Sequence, residues 1–278
     1  MRDFESIRVG LRPPLAELVL DRPEQRNALT SGMIGEILEA LALIEGEEDA
    51  RVLLIRGEGT SFCAGADLGE LKQVQDASFE ENMAASRELV RLFRTIYTYP
   101  KATVAAVHGY CVAGGCGIAT ACDVVVADPE ARFRYSEAAI GFVAAIVTVM
   151  LLRSVGEKHA RELLLTARYT PAAEALRIGL INEVSESGQA MGRAREVARE
   201  IALNSTTGIA LSKEVLAAVP SMGLDEAFDF AANINAAGRL NSDCREGIAA
   251  FMEKREPAWR RRVEEQIEER SRRSTTGI

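Results

Sequence analysis

The sequence predicts an α/β fold in which short buried strands alternate with helices, followed by a helical C-terminal part. Unbroken apolar runs at 52–55 and 103–107 indicate strands buried on both faces, which is typical of parallel sheets covered by helices. Each run leads into a loop rich in small residues and then into a helical stretch. From residue 155 onward, most of the chain has helical periodicity.

The individual elements follow from periodicity and from turn residues. Two alternating runs, 6–11 and 15–20, are separated by two prolines and predict a hairpin. Thr170 is expected to cap a short helix with Pro171 at its first position and Glu174 near the capping-box position. The other expected elements are helices over 31–45, 79–97, 189–203, 207–218, 224–238 and 243–254, and strands over 124–127 and 132–135.

A soft boundary near residue 200 divides the chain into an α/β core, 1–200, and a helical region, 201–278. No internal repeat or low-complexity linker marks this boundary more sharply. The end of the chain, 260–273, mixes Arg and Glu densely and predicts a solvated helix or a frayed tail.

Composition narrows the class of function. The chain has 278 residues, 47% of them hydrophobic, and a net charge of −8, which argues against a nucleic-acid partner. The longest apolar stretch, 138–152, is shorter than the about 20 residues that span a bilayer, and the first ten residues contain no signal-peptide core. Five cysteines without a C-x-x-C pair indicate free thiols in a reducing compartment, so a cytoplasmic protein is expected. With only two histidines, a His-based metal site or a Ser-His-Asp triad is hard to assemble.

Two glycine-rich loops, 57–68 and 109–117, each stand where a strand gives way to a helix. Such turns expose backbone N–H groups, and a helix N-terminus adds a positive dipole. Two converging N–H groups form an oxyanion hole. Phosphate binding and simple close packing explain the loops equally well, but neither loop matches G-x-G-x-x-G or G-x-x-x-x-G-K-[ST], which disfavours a nucleotide fold.

Five segments in order resemble the crotonase superfamily of enoyl-CoA hydratases and isomerases, over about residues 4–257. They are RPEQRNAL (22–29), FCAGADL (62–68), HGYCVAGGCGIATACD (108–123), FRYSEAAIGF (133–142) and AEALRIGLINEV (173–184). The resemblance implies a spiral of repeated strand–strand–helix units, with nearly perpendicular sheets and a helical C-terminal region that takes part in oligomerisation and in the CoA site. It also implies homotrimers, often paired as hexamers. The substrate it implies is a coenzyme A thioester, with no permanently bound cofactor, no metal and no membrane partner.

The same resemblance assigns roles to individual residues. Ala66 and Gly114 would supply the two oxyanion N–H groups, and the Ala64 carbonyl would accept from the adenine amino group. Asp67 has an alternative role, which is to cap the next helix. Lys213 is either an ordinary solvated lysine or a further contact to a CoA phosphate. The CoA contacts implied by the resemblance are Arg26, Ala28, Ala64, Asp67, Leu68, Phe251 and Lys254.

The carboxylates depart from the family's hydratase pattern. Glu137, in FRYSE, matches one of the two glutamates usual in hydratases, and Gly117 stands in place of the other. Glu137 would move the proton, while backbone groups or Tyr135 would hold the water that adds to a 2-enoyl-CoA. The alternatives are double-bond isomerisation with Glu137 as the sole proton shuttle, other enolate chemistry, and a non-catalytic CoA-binding protein. The residues at 143–145 also depart from the family's pattern, and this difference would reshape the acyl pocket.

Overall fold

The structure, a computed structural model, describes residues 4–73 and 76–276. Its strands, in chain order, are β1 (Ile7–Arg12), β2 (Leu15–Leu20), β3 (Val52–Gly57), β4 (Ala102–Val107), β5 (Tyr110–Val112), β6 (Val124–Ala127), β7 (Arg132–Arg134), β8 (Thr170–Pro171) and β9 (Glu183–Val184). Its α-helices are α1 (Ser31–Glu45), α2 (Leu68–Gln73), α3 (Phe79–Tyr97), α4 (Gly114–Ala121), α5 (Ala145–Ser154), α6 (Glu157–Thr166), α7 (Ala172–Arg177), α8 (Ala190–Ala202), α9 (Thr206–Ala218), α10 (Leu224–Gly238), α11 (Ser242–Glu253) and α12 (Ala258–Thr276).

A six-stranded sheet, in the order β1-β2-β3-β4-β6-β9, carries the core. The hairpin β1–β2 is antiparallel as predicted, and all the other pairs in this sheet are parallel. Side chains alternate between its faces, so Leu53 and Ile55 pack with α1 and α3 while Val52 and Leu54 pack with α8. Small residues on α8, such as Ala194 and Ala198, let that helix lie close to the strands.

A second sheet has three strands in the order β5-β7-β8. Its strands come from successive turns of the chain. Cys63 forms a parallel bridge with Cys111, and Cys111 is in register with Phe133, which in turn pairs with Thr170. One strand–strand–helix unit is β4–β5–α4. The next two strands, β6 and β7, pair with β4 and β5 respectively, so they form the adjacent turn of the spiral. This is the spiral of strand–strand–helix units that the resemblance implied.

Most predicted helices are confirmed, and side chains cap several of them. Thr30 caps α1, and Ser78 with Glu81 forms a capping box at the start of α3. The prediction for α7 is wrong by one residue: Pro171 occupies the N-cap position, and the Glu174 carboxylate binds Arg168 instead of completing a capping box.

The C-terminal helices are more closely attached to the core than the sequence suggested. Val263 of α12 is fully buried in the same apolar cluster as Val104, so the expectation of a solvated or frayed end is wrong for this part of α12. The Arg51 guanidinium, before β3, donates to the carbonyls of Ala202 and Asn204, at 2.9 and 2.7 Å. The division near residue 200 stays a prediction.

All five cysteines are free thiols, and four of them are buried. Burial raises the pKa of the Cys63 and Cys122 thiols to about 12, so both stay protonated and unreactive at neutral pH. None of the described helices combines the length and the apolar character needed to cross a membrane.

Candidate active site

The two glycine-rich loops touch each other directly. A Cβ atom on Gly65 would lie 2.9 Å from the Cβ of Ala113, and one on Gly115 would lie 2.5 Å from the Cys63 carbonyl oxygen. Both distances are too short for a real side chain, so the approach of the loops depends on glycine at these positions. Gly65 also has φ +92, a conformation that favours glycine.

The first loop leaves the Ala66 N–H group without an internal acceptor. The Leu29 N–H donates to the Gly65 carbonyl at 2.7 Å, and the Asp67 N–H donates to the Leu29 carbonyl at 2.9 Å. This parallel bridge uses the groups on either side of Ala66, so the Ala66 N–H points away from Leu29. Among the described residues, none accepts a hydrogen bond from it.

The second loop offers a similar group at Gly114, the first residue of α4. The first N–H groups of a helix have no intrahelical partner, and within 4–73 and 76–276 the Gly114 N–H has no acceptor. Ala113 just before it is held at φ 47, ψ −114, a strained conformation for alanine, by donation to the Arg134 carbonyl at 2.8 Å. Ala66 and Gly114 each follow a residue of the Gly65–Ala113 contact, which brings the two loops together at these positions. That their N–H groups share one oxyanion stays a prediction.

Arg22 and Asn27 brace this arrangement, although sequence reasoning did not single them out. The Arg22 guanidinium donates to the Ala28 carbonyl at 2.6 Å and to Oδ2 of Asp67 at 3.1 Å, linking the residues next to Leu29 and Ala66. Asn27 is fully buried, and its amide donates to the carbonyls of Glu58, Ser61 and Phe62. The two residues stand in the motif RPEQRNAL after β2, where Arg22 is partly buried and Asn27 fully buried.

The residues placed at the CoA site by resemblance have mixed surroundings. Asp67 caps α2, since its Oδ1 accepts from the Gly69 N–H at 2.8 Å, and this hydrogen bond with the Arg22 ion pair lowers the pKa of Asp67. Arg26 and Leu68 are exposed, Ala28 is buried, and no described N–H donates to the Ala64 carbonyl. The capping role is confirmed, and the CoA contacts stay predictions.

Glu137 opens the 3₁₀ turn Glu137–Ile140, and two residues separate it from the end of β7. Its Oε2 is buried and lacks a hydrogen-bond partner, the only carboxylate oxygen in that state among the described residues. Burial raises the pKa of Glu137, with only its own backbone acting in the opposite direction. Because β7 pairs with β5, and the Arg134 carbonyl accepts from the Ala113 N–H, the turn with Glu137 and the start of α4 at Gly114 follow neighbouring strands. An unpaired carboxylate of raised pKa is suited to proton transfer.

Tyr135 does not offer a free hydroxyl toward water. It is fully buried, and its hydroxyl shares a 2.9 Å hydrogen bond with Oγ1 of Thr120. Its pKa is raised mainly by that burial. The sequence analysis named backbone groups or Tyr135 as the groups that would hold the attacking water. With the Tyr135 hydroxyl already paired, backbone groups are the remaining candidates.

Phe93 occupies the space beside Gly117. A Cβ on Gly117 would lie 2.2 Å from Cζ of Phe93 and 2.7 Å from each Cε, and the ring is 2% exposed. An aromatic ring therefore fills the space at position 117, where the resemblance places the second hydratase glutamate. No signal in the sequence singled out Phe93 from the other apolar residues of α3.

Three residues from the C-terminal part were considered for contacts with CoA: Phe251, Lys254 and Lys213. Phe251 is 84% exposed near the end of α11, and Lys254 caps that helix with φ 54. Lys213 is buried, forming an ion pair with Asp123 and donating to the Lys101 carbonyl, so the solvated-lysine interpretation is wrong.

Comparison with known proteins identifies the family. A model described as enoyl-CoA hydratase/isomerase matches residues 13–262. A Thermus thermophilus protein is 49% identical, with 87% of this chain and 96% of that protein covered. Its name describes it as an enoyl-CoA hydratase by assignment. A peroxisomal Δ(3,5)-Δ(2,4)-dienoyl-CoA isomerase of Arabidopsis thaliana is 30% identical, covering 92% of this chain and 96% of the relative. The crystal structure of an enoyl-CoA hydratase from Shewanella pealeana superposes with a TM-score of 0.87 at 29% identity, covering 92% and 96% of the two chains.

The fold and the paired loops thus define an acyl-CoA enzyme of the crotonase superfamily. The chain belongs to the enoyl-CoA hydratase/isomerase family.

Proposed function

We propose that this protein hydrates a 2-enoyl-CoA thioester, with Glu137 as the single acid/base residue. The observation that carries the proposal is the buried, unpartnered Oε2 of Glu137, in the turn that follows β7. Strand β7 pairs with β5, which leads to Gly114. The hydratase names of the Thermus and Shewanella proteins support the same reaction.

The reaction requires one proton to travel from water to carbon. Water adds through its oxygen to C3 of the enoyl group while its proton passes to the Glu137 carboxylate. The electron pair of the C2–C3 double bond moves toward the thioester carbonyl, whose oxygen becomes an enolate oxyanion held by the N–H groups of Ala66 and Gly114. Protonated Glu137 then gives its proton to C2, which restores the carbonyl and the carboxylate. Ile140, Phe142 and Val143 are exposed beside Glu137 and provide an apolar surface for the acyl chain.

Double-bond isomerisation is the second candidate, and the Phe93 ring beside Gly117 favours it. Isomerisation requires no added water: Glu137 removes a proton from C2 of a 3-enoyl-CoA and returns it to C4. One carboxylate is enough for this shuttle. The isomerase name of the Arabidopsis relative shows that such chemistry occurs in a related protein.

Incubation with crotonyl-CoA and with 3-hexenoyl-CoA separates these functions. Hydration adds the mass of one water to crotonyl-CoA, whereas isomerisation leaves the mass of 3-hexenoyl-CoA unchanged and creates a conjugated thioester that absorbs in the ultraviolet. We expect the water adduct of crotonyl-CoA as the main product. Binding of both thioesters without turnover of either would instead indicate a non-catalytic CoA-binding protein.

The raised pKa of Glu137 predicts the pH dependence of the hydratase rate. The reaction needs the ionised carboxylate as base, so kcat/KM should fall as the pH drops through the pKa of Glu137. Because burial raises this pKa above the ordinary value of 4.5, the fall should begin at a higher pH than an exposed glutamate would give. A kcat/KM profile between pH 4 and 8 checks this, and a flat profile across an ordinary glutamate pKa and above it would contradict it.

We further propose that the protein assembles as a homotrimer or as a dimer of trimers. Large apolar side chains are exposed along α10 and α11, including Phe228 at 68%, Phe251 at 84% and Met252 at 78%. Exposed apolar clusters of this kind mark protein interfaces. In such an assembly, Phe251 and Lys254 would reach the nucleotide end of a CoA bound by the neighbouring subunit, where an ammonium suits a phosphate.

Sedimentation at micromolar concentration should show a mass three or six times that of the chain. Phe251→Asp should shift the protein toward smaller species, because a charge would be buried without a partner in the interface. Glu130→Gln, an exposed change on the loop before β7, serves as the control and should leave the mass unchanged. A wild-type monomer would contradict both the assembly and the shared CoA site.

A further inference from the structure

The position of Phe93 relative to α4 is the starting observation. Gly114 and Gly117 are three residues apart on this helix and therefore lie on neighbouring parts of one face. Gly114 faces Leu29, whose Cδ1 would be 2.9 Å from an added Cβ, and Gly117 faces the ring tip of Phe93. The ring thus covers α4 one turn after the residue that carries the second oxyanion donor.

The fit between Phe93 and Gly117 is too close to admit any side chain at position 117. The three ring atoms nearest to the added Cβ are Cζ and the two Cε atoms, all within 2.7 Å. Phe93 is held there by its neighbours in the core, since it is 2% exposed and Leu92 and Ile96 on the same helix are fully buried. Neither a carboxylate nor a water molecule bound to one can occupy the volume of the ring.

We infer that Phe93 is a specificity-determining residue, which with Gly117 restricts the site to one carboxylate and sets the balance between hydration and isomerisation. This rests on the proposed function, because the balance is defined only if Glu137 transfers the proton. A second carboxylate would hold the attacking water, so its exclusion slows hydration while leaving the shuttle between C2 and C4 intact. Replacing the ring tip by a carboxylate should therefore accelerate hydration selectively.

The test is a double-mutant cycle. Phe93→Leu removes the two Cε atoms and Cζ while keeping most of the core volume. Gly117→Ala alone should lower the melting temperature by roughly 4–10 °C, because its Cβ meets the ring, and should have little effect in the Phe93→Leu background. Phe93→Leu/Gly117→Glu should raise the hydratase-to-isomerase ratio, measured with crotonyl-CoA and 3-hexenoyl-CoA, by roughly tenfold or more over Phe93→Leu alone.

Leu92→Ala is the matched control, since it creates a buried cavity at the adjacent position of α3 and should lower stability without changing the ratio. Equal melting temperatures for Gly117→Ala and the wild type, or an unchanged ratio in the folded double variant, would overturn the inference. If the double variant does not fold, Phe93→Ala/Gly117→Glu provides more space, and an unchanged ratio there has the same meaning. Failure of the proposed function is distinguishable, because Glu137→Gln would then leave both activities of the wild type intact.

Discussion

Replacing Glu137 by Gln should lower turnover of the enoyl thioester by about 100-fold to 10,000-fold. The amide keeps the shape of the carboxylate but can neither accept the proton of water nor return one to C2. Among the described residues, Oε2 of Glu137 is the only buried carboxylate oxygen without a hydrogen-bond partner, and this variant removes it. Steady-state rates with crotonyl-CoA, at saturating substrate, measure the loss.

Two further measurements separate catalysis from folding in the Glu137→Gln variant. Binding of the CoA ester, measured by calorimetry, should change little because the N–H groups of Ala66 and Gly114 are untouched. Because the pKa of Glu137 is raised, the folded state disfavours its ionised form. Its contribution to the free energy of unfolding is therefore greatest at low pH and is lost as the pH rises through the pKa of the folded state. Glu137→Gln should therefore be at least as stable as the wild type at pH 7. Wild-type turnover in this variant would remove both the hydratase and the isomerase proposals.

Sequence periodicity was sufficient for the elements that make their own local contacts. The bounds of α3 were predictable because a capping box starts the helix and a proline follows its end. The strands β8 and β9 have two residues each, too few to show alternation, and exist only because β7 and β6 pair with them. Tertiary pairing, which no local window contains, defines such strands.

The same distinction holds for the candidate site. The glycine-rich turns could be located from the sequence, and the family resemblance then selected Ala66 and Gly114 in them as the expected N–H donors. Phe93 could not be located, because the glycine that its ring meets depends on how α3 packs on α4. The same holds for Val263, whose burial is decided by the sheet beneath a run of Arg and Glu.

The oxyanion hole leads to the second large expected effect. Gly114→Pro should lower turnover by on the order of 100-fold or more, because proline has no N–H to donate to the enolate oxygen. Gly114 is the first residue of α4, where the N–H makes no helical hydrogen bond, so the helix itself loses nothing. The KM for the thioester should change less than kcat, since the enolate oxygen carries more charge than the ground-state carbonyl and depends more strongly on the donor.

Proline also disturbs Ala113, because its φ 47 and ψ −114 lie far from the extended region that a following proline favours. Gly114→Ala therefore serves as the first control: it retains the N–H and adds only a Cβ whose single close neighbour is the terminal Cδ1 of Leu29, so it should keep most of the activity. Replacing Gly114 by glycolic acid is the sharper experiment, because the resulting ester removes the N–H and adds no bulk. If the ester variant folds and turns over at the wild-type rate, Gly114 is not an oxyanion donor and the enolate is stabilised elsewhere. A loss in the ester that matches the loss in Gly114→Pro assigns the effect to the single missing hydrogen bond.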